Sequence, residues 1–563
     1  MNIISNILTY SDLFNEQAKT IDCYLSPIKR ETLIDYAIKL LSLSTVHEIY
    51  KEENVLWAFL TKEEKALFNS LYQTIIQKRK QNGVSSCIIN VRTSLNFFEY
   101  AFKNTTLNSS ISESLQNVNV LKAYLLLNEK SNKERTLQEK NYEIEEIMLH
   151  NALEHERYID ENLVYLRLVQ LIKACIFFEF CEKNLSFHLK EFEKFYNIPT
   201  WKTYIIYLHQ IGMLIHEHNL ETPFITVTIS EKDKDFITKK DFLNKFCLQK
   251  YGWDDNQDYT ALKNTPIIQS ENNEYKIIFE EFFCEKVYQS LYFKFKEINN
   301  SFKETQPQFY IKNFRSYIGL EFSERSLTNQ LLSNAFGNKY IQLNYKNLQE
   351  GDIDYYIRNG KYIFLFECKD NLIGKDILEE CNIDKFIQKL QELFIETNNN
   401  NKSRDKAINQ LINNIEKILN KEYPDKKYNR KNCYIYPIIV THNNIFSLTG
   451  VNTIVNNWFK KELSKRNITH PYIKQLTIIS IDTIALFQGI FAQKGFSIKY
   501  MIDKYWKNYK SIENKKYSTD IDVVKDYPTK YQSFKKFIEN SFHKKDLFTK
   551  EILRYRNFFN KEQ

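Results

Sequence analysis

The run Tyr362-Ile363-Phe364-Leu365-Phe366 is unbroken in its apolar character, which is the pattern of a strand buried on both faces. Just ahead of it stands Asn359-Gly360, a hairpin signature, because a two-residue turn of this kind takes positive φ at both central positions. Counting outward from that turn pairs Arg358 with Lys361, Tyr356 with Ile363, Asp354 with Leu365, and Asp352 with Glu367. Paired residues share a face and side chains alternate with period two. The pattern therefore predicts Asp352, Asp354, Glu367 and Lys369 on one face of a hairpin.

Helical periods flank this hairpin. Upstream, 319–337 reads as an amphipathic helix stopped by Gly337, with a stripe of Leu320, Leu327, Leu331 and Ala335. Glu324 falls inside that stripe, where an acid is rarely buried without a partner. Downstream, 404–418 is a second amphipathic helix whose buried face holds Ala407, Ile408, Leu411, Ile412, Ile415 and Ile418. Between Lys369 and this helix lies an insertion with the run Asn398 to Asn401, read as a flexible loop. Two further apolar, β-branched runs, 434–441 and 476–481, are separated by a helix over about 453–464. His442 ends the first run, where sites often open in α/β sheets; a place near the active site and a loop histidine without a role are the two readings. Strand, helix and strand after a hairpin suit a mixed α/β sheet with covering helices.

The first 300 residues carry apolar positions at spacings of three and four, as packed helices require; 33–42, 55–81 and about 145–184 are the clearest. A strand is expected at 224–229 and a small hairpin through 266–268 and 275–279. A helix with Phe283, Val287 and Leu291 on one face follows. The polar segment 299–308, with Pro307, reads as a linker. The fold class is thus α+β: a helix-rich N-terminal half, then a mixed sheet with flanking helices. The expected division is 1–300, 305–490 and a basic, aromatic-rich helical tail, 491–563.

Composition narrows the function classes. With 563 residues, 43% hydrophobic and 15% aromatic, large cores are affordable. The net charge is +8, and 15 Lys and Arg against 9 Asp and Glu place +6 of it beyond residue 500. There, bases interleave with Tyr505, Trp506, Tyr509, Phe534, Phe537, Phe542 and Tyr555, a composition that attracts phosphate backbones and offers rings to unpaired bases, and equally that of an ordinary amphipathic helical domain with a solvated basic face. Nine scattered cysteines without a Cys-x-x-Cys pair argue against a zinc ribbon or disulfide framework and fit a reducing, cytoplasmic setting. No secretory leader or membrane span is expected, since the most apolar helix, about 164–180, is broken by Arg167, Lys173 and Glu179. A Gly-Lys-Ser/Thr phosphate loop, a His-Glu-x-x-His helix and a serine elbow are all missing from the sequence.

The hairpin carries the chemistry. Clustered carboxylates raise each other's pKa, and a divalent cation relieves the repulsion. Mg²⁺ takes one or two carboxylates together with waters and phosphate oxygens. A neighbouring lysine can orient a water or stabilise charge on phosphate, which completes the parts of metal-assisted phosphodiester hydrolysis. Asp354, thirteen positions before Glu367-Cys368-Lys369, together with Gly351-Asp352-Ile353-Asp354, resembles the PD-(D/E)xK nuclease superfamily over about 305–490. The Glu-x-Lys alone says little, since Glu63-Glu64-Lys65 matches it; the combination of acid, turn, apolar strand, spacing and common face carries the resemblance.

The resemblance implies a restriction-endonuclease-like fold and a Mg²⁺-dependent endonuclease, with Mn²⁺ as substitute. Asp354 and Glu367 would be metal ligands, with the Cys368 carbonyl a further one, and Lys369 the water-orienting group. Glu324, with Glu321 as runner-up, or Asp352 would complete the shell. Gln410 and Lys406 would approach phosphate. Further implications are a DNA substrate, a 5′-phosphate product, a homodimer, a regulatory partner for the N-terminal half and a role in restriction or anti-phage defence. The rival expectations are a non-catalytic nucleic-acid-binding scaffold and a nuclease acting on RNA or branched DNA.

Overall fold

The computed structural model describes residues 6–45, 52–82, 86–134, 142–159, 162–217, 225–248, 259–271, 273–337, 340–349, 351–399, 402–513 and 529–542. The architecture is α+β. A five-stranded mixed sheet is built from β1 (Ile341–Asn344), β2 (Tyr355–Asn359), β3 (Tyr362–Lys369), β4 (Tyr434–Thr441) and β5 (Thr477–Ser480), in the order β5-β4-β3-β2-β1. β4 runs parallel to both β3 and β5, while β2 is antiparallel to β3 and β1. The parallel connections are the long ones and carry the helices, as crossovers require.

Alternation along β3 sorts its side chains between two layers. Ile363 and Leu365 join a core with the Ile383–Phe394, Ala407–Leu419 and Val451–Lys465 helices. Phe364 and Phe366 join another, with the Leu163–Asn184, Asn329–Phe336 and Ile481–Phe491 helices. Both faces of the strand are therefore covered, which is why its sequence is apolar throughout.

The hairpin forms with its turn moved by one residue. Asn359 pairs with Tyr362 and Tyr355 with Phe366, so Gly360-Lys361 are the central residues and only Gly360 has positive φ, at 58°. A single positive φ at the first central position is met by glycine and leaves lysine an ordinary conformation at the second. The pairing sum shifts by two residues, so the faces expected from alternation are kept. Continued one step, the register sets Asp354 opposite Glu367, where Asp352 was expected.

The helix ahead of the hairpin departs more. Ile318–Thr328 is a π-helix, continued by a regular α-helix over Asn329–Phe336. Its buried residues, Ile318, Phe322, Ser323, Leu327 and Thr328, recur at four and five rather than three and four. The wider turn moves Leu320 out of the expected stripe, leaving it 42% exposed. π-turns are rare and concentrate at functional sites.

Domain limits also differ from those read off the sequence. One core runs from Tyr165 to Ile538 and includes residues on both sides of position 300. The expected linker is the end of a helix, Leu291–Thr305, followed by a 3₁₀ turn at Pro307–Phe309. Asn299 there is buried and satisfied, its Oδ1 accepting from the Ile311 amide at 2.9 Å and its Nδ2 donating to the Ile311 carbonyl at 3.1 Å. A separate core joins 8–158 with 248–282.

Among the other expected elements, 55–81 divides into Glu52–Trp57 and Lys65–Asn82, and 145–184 into Ile144–His155 and Leu163–Asn184. The early strand is Thr226–Thr228, pairing with Glu274–Ile277, which in turn pairs with Ile267–Glu271; Phe224 and Asn272 lie outside the described residues. The helix through Phe283, Val287 and Leu291 breaks into Glu280–Glu285 and Leu291–Thr305. Part of the asparagine-rich insertion pairs as antiparallel strands, Glu396–Asn399 with Lys402–Asp405, while Asn400 and Asn401 lie outside the described residues. In the tail, Tyr505, Trp506, Phe534 and Phe537 are core residues; Tyr555 lies outside the described residues. Rings at helical spacing serve a core as readily as a stacking platform, and here the core has them. No helix among the described residues is long and apolar enough to cross a membrane.

Candidate active site

The site lies where β2 begins and β3 ends, under the Ala407–Leu419 helix. The chain enters β2 through Asp354 and leaves β3 through Glu367-Cys368-Lys369. Glu367 is 2% exposed. Its Oε1 accepts from Lys369 Nζ at 2.7 Å, and Lys369 Nζ also donates to Gln410 Oε1 at 3.0 Å. Gln410 is brought in because the Ala407–Leu419 helix seats its apolar stripe on this face of the sheet. Lys406 occupies the N-cap position of that helix, one turn before Gln410. Asp354 accepts from the Cys368 amide, 2.6 Å from its Oδ2, tying the two strand ends together.

The electrostatics are those of too many carboxylates for one cation. Burial, then the Asp354 charge, push the Glu367 carboxyl up to about 8. The same two causes, in the same order, push Glu324 up to about 8. Asp354 is raised by burial, with Lys369 opposing. Burial alone would lower the Lys369 ammonium; Glu367 and Asp354 outweigh it and hold it well above its usual range. Glu324 thus reaches the group from the π-helix, in the layer across the sheet. Glu321 turns instead to Arg325, in an ion pair at 2.6 Å.

One of the expected participants, Asp352, is differently engaged. Asp352 accepts from Lys417 Nζ at 2.7 Å and from the Gln349 amide at 3.0 Å, so its carboxylate closes a turn and anchors the Ala407–Leu419 helix. The Cys368 side chain points to the other face, as alternation demands, and its Sγ lies 3.2 Å from His442 Nε2.

His442 is more than a loop residue. Its Nε2 lies 3.0 Å from Thr328 Oγ1, and its amide donates to the Lys369 carbonyl at 3.3 Å. Burial lowers its imidazole to about 4, so the ring is neutral at neutral pH.

The sequence reading missed Asp370 and Tyr423. Asp370 accepts from Arg315 Nη2 at 2.7 Å and Ser323 Oγ at 2.6 Å, and fastens the π-helix to the end of β3. Burial would raise its carboxyl; the nearby His442 and Arg315 outweigh that and lower it. Tyr423 is fully buried and stacked on Tyr356 at 5.0 Å; its hydroxyl has no hydrogen-bond partner. Its phenol is raised by burial first, then by Asp352, Glu367 and Asp354. Asp370 was findable, being the next acid after the motif. Nothing local marks Tyr423.

The donor chemistry suits a hard divalent cation, which takes oxygen ligands. Asp354, Glu367 and Glu324 supply carboxylates, and Glu367 Oε2 is buried with no hydrogen-bond partner. As arranged, Asp354 is spent on the Cys368 amide and Glu367 on Lys369. Among the described residues no three His, Cys, Asp or Glu side chains converge as a ready metal site. No family model, curated protein or solved structure matches this chain.

Proposed function

We propose that this chain is a Mg²⁺-dependent endonuclease that hydrolyses phosphodiester bonds, with DNA as its substrate. The observation that carries the reading is the meeting of Asp354, Glu367, Glu324 and Lys369 at one pair of strand ends, with more carboxylates than Lys369 can neutralise. Asp354 and Glu367 would hold the cation, with Glu324 and the Cys368 carbonyl beside them. Bound there, Mg²⁺ would supply positive charge to a phosphate oxygen and acidify a water.

The chain's own groups do the rest. Lys369 stays protonated, since its ammonium is held above its usual range. It therefore serves as a fixed cation that orients water and stabilises charge developing on the phosphate, and not as a general base. Gln410 fixes the direction of that ammonium through its hydrogen bond. Glu324, half-buried and raised to about 8 by burial and the Asp354 charge, holds its proton near neutral pH, and a cation bound beside it would displace that proton.

One observation favours a second reading, a nucleic-acid-binding scaffold without catalysis: Asp354 and Glu367 are both engaged by protein donors. The deciding experiment assays the purified chain on plasmid, linear duplex, single-stranded DNA and RNA, with Mg²⁺, Mn²⁺ or EDTA, beside a Glu367→Ala/Lys369→Ala control. Metal-dependent cutting that the control lacks supports the enzyme and identifies its substrate. Binding without cutting by either protein supports the scaffold.

A further inference from the structure

Ile318, Phe322 and Ser323 of the π-helix, with Asp370, border a cavity of about 1000 Å³. Its walls come from the Leu163–Asn184 helix, the segment 281–293, the π-helix region and the chain just beyond β3 and β4, together with residues of 87–91, 148–159, 260–264 and 533–539. That volume lies at the upper end of the range for small-molecule sites. Cations, carboxylates and rings share the wall. The buried Lys173 ammonium stands 4.7 Å above the Tyr288 ring, and the Arg315 guanidinium 4.9 Å above the Tyr292 ring. Phe293, also on the wall, is 54% exposed, and an exposed ring of this size calls for a partner more than a buried one does.

We propose that this cavity is a binding site for a nucleoside phosphate. Lys173 gives one of its three N–H donors to Asp482 Oδ1, at 2.6 Å, and Arg315 is engaged by Asp370. Each has further donors for a phosphate, and Arg315 offers the planar fork that phosphate oxygens fit. Phe293 and Tyr292 provide faces for a base. Seven Lys and Arg against five Asp and Glu line the cavity, so its wall carries a small surplus of positive charge. An aromatic anion uses both features.

The wall also touches the candidate active site from behind. Asp370, held by Arg315 and Ser323, directly follows Lys369, and Ser323 directly precedes Glu324. A phosphate that draws Arg315 toward itself loosens the clasp that seats the π-helix on β3. Binding stands on the cavity alone; its effect on cleavage rests on the nuclease reading.

Calorimetry on the full chain with each of the four ribonucleoside triphosphates and monophosphates, adenosine and inorganic phosphate tests binding without any need for nuclease activity. At least one nucleotide should bind about tenfold or more tightly than both adenosine and phosphate. Phe293→Ala, which removes an exposed ring and leaves basal cleavage unchanged, should weaken that binding about tenfold, and Arg315→Gln should weaken triphosphates more than monophosphates. Circular dichroism checks that both variants fold. No heat with any nucleotide, or equal binding by the wild type and Phe293→Ala, would overturn the proposal.

Discussion

Two buried lysines face the two sides of the same sheet, and they are used in opposite ways. Lys173 meets one carboxylate, Asp482, at 2.6 Å, and both side chains are almost fully enclosed. Charge is balanced one to one. Lys369 meets Glu367 at a nearly identical 2.7 Å, but its field is shared with Asp354 and Glu324. The first pair carries no surplus charge. The second leaves Glu367 Oε2 without a hydrogen-bond partner and two carboxyls pushed up to about 8. Distance alone cannot tell structure from chemistry here; the count of opposing charges can. A surplus of one sign at a strand end persists only where the surroundings hold it, and such clusters are candidates for function.

The largest expected effect tests whether the layer holding Lys173 is one core with the tail. Truncation after Tyr500 removes Tyr505, Trp506, Phe534 and Phe537, all buried there. Losing four such rings costs more than a typical folding free energy. The truncated chain should be insoluble or lack a cooperative melt, whereas a soluble protein with an unchanged melt would show the tail to be an appendage. Next, Lys173→Met should lower stability by about 3–5 kcal/mol, because Asp482 is left buried and unpaired. Lys369→Met should cost less than half as much in the same urea titration, since Glu367 can take up a proton. Equal losses would erase the contrast between the two lysines.

In activity the order reverses. Lys369→Met should lower cleavage about 10³-fold with nucleic-acid affinity nearly kept, the scale of removing a preorganised charge from a transition state. Lys173→Met, at a temperature where it stays folded, should retain cleavage within a few fold. A smaller difference separates neighbours on the π-helix. Glu324→Gln should lower metal-dependent cleavage by roughly ten- to a hundredfold, and Glu321→Gln by less than about twofold, because Glu321 is spent on a half-exposed pair with Arg325. Initial rates over a range of Mg²⁺ concentrations measure both, and the reverse order would point to the wrong face of the helix.

The hairpin was legible because strand alternation survives a register error: moving the turn from Asn359-Gly360 to Gly360-Lys361 changed the partner of Glu367 but not its face. Glu324 was put on the inner face by a regular helical period and in the group by the resemblance, yet the helix is a π-helix, and the same period wrongly buried Leu320. Wide turns leave no local mark, since they are selected by what Phe322, Ser323 and Thr328 meet across the interface. The contact of Thr328 and Cys368 with His442 joins segments far apart in sequence, and no periodicity reports it. In the tail, bases interleaved with rings describe a stacking surface and a buried helix equally well; only burial separates them.

The smallest effect is the pH dependence of stability, and it probes the surplus directly. Glu367 and Glu324 have carboxyls raised from 4.5 to about 8. Between those values the unfolded chain is ionised there and the folded chain holds the proton, so the folded state binds more protons. Stability must then fall as pH rises from about 4.5 to 8, by on the order of 1–3 kcal/mol for Glu367. Glu367→Gln should flatten that slope, while Asp482→Asn should leave it intact on a lower baseline. Mg²⁺ should oppose the fall, raising the melting temperature more at pH 8 than at pH 5, because the cation competes with the proton for the same carboxylates. A slope unchanged in Glu367→Gln would mean that the carboxylates at the end of β3 are balanced as fully as the Lys173 pair, and that the surplus from which the catalytic reading starts does not exist.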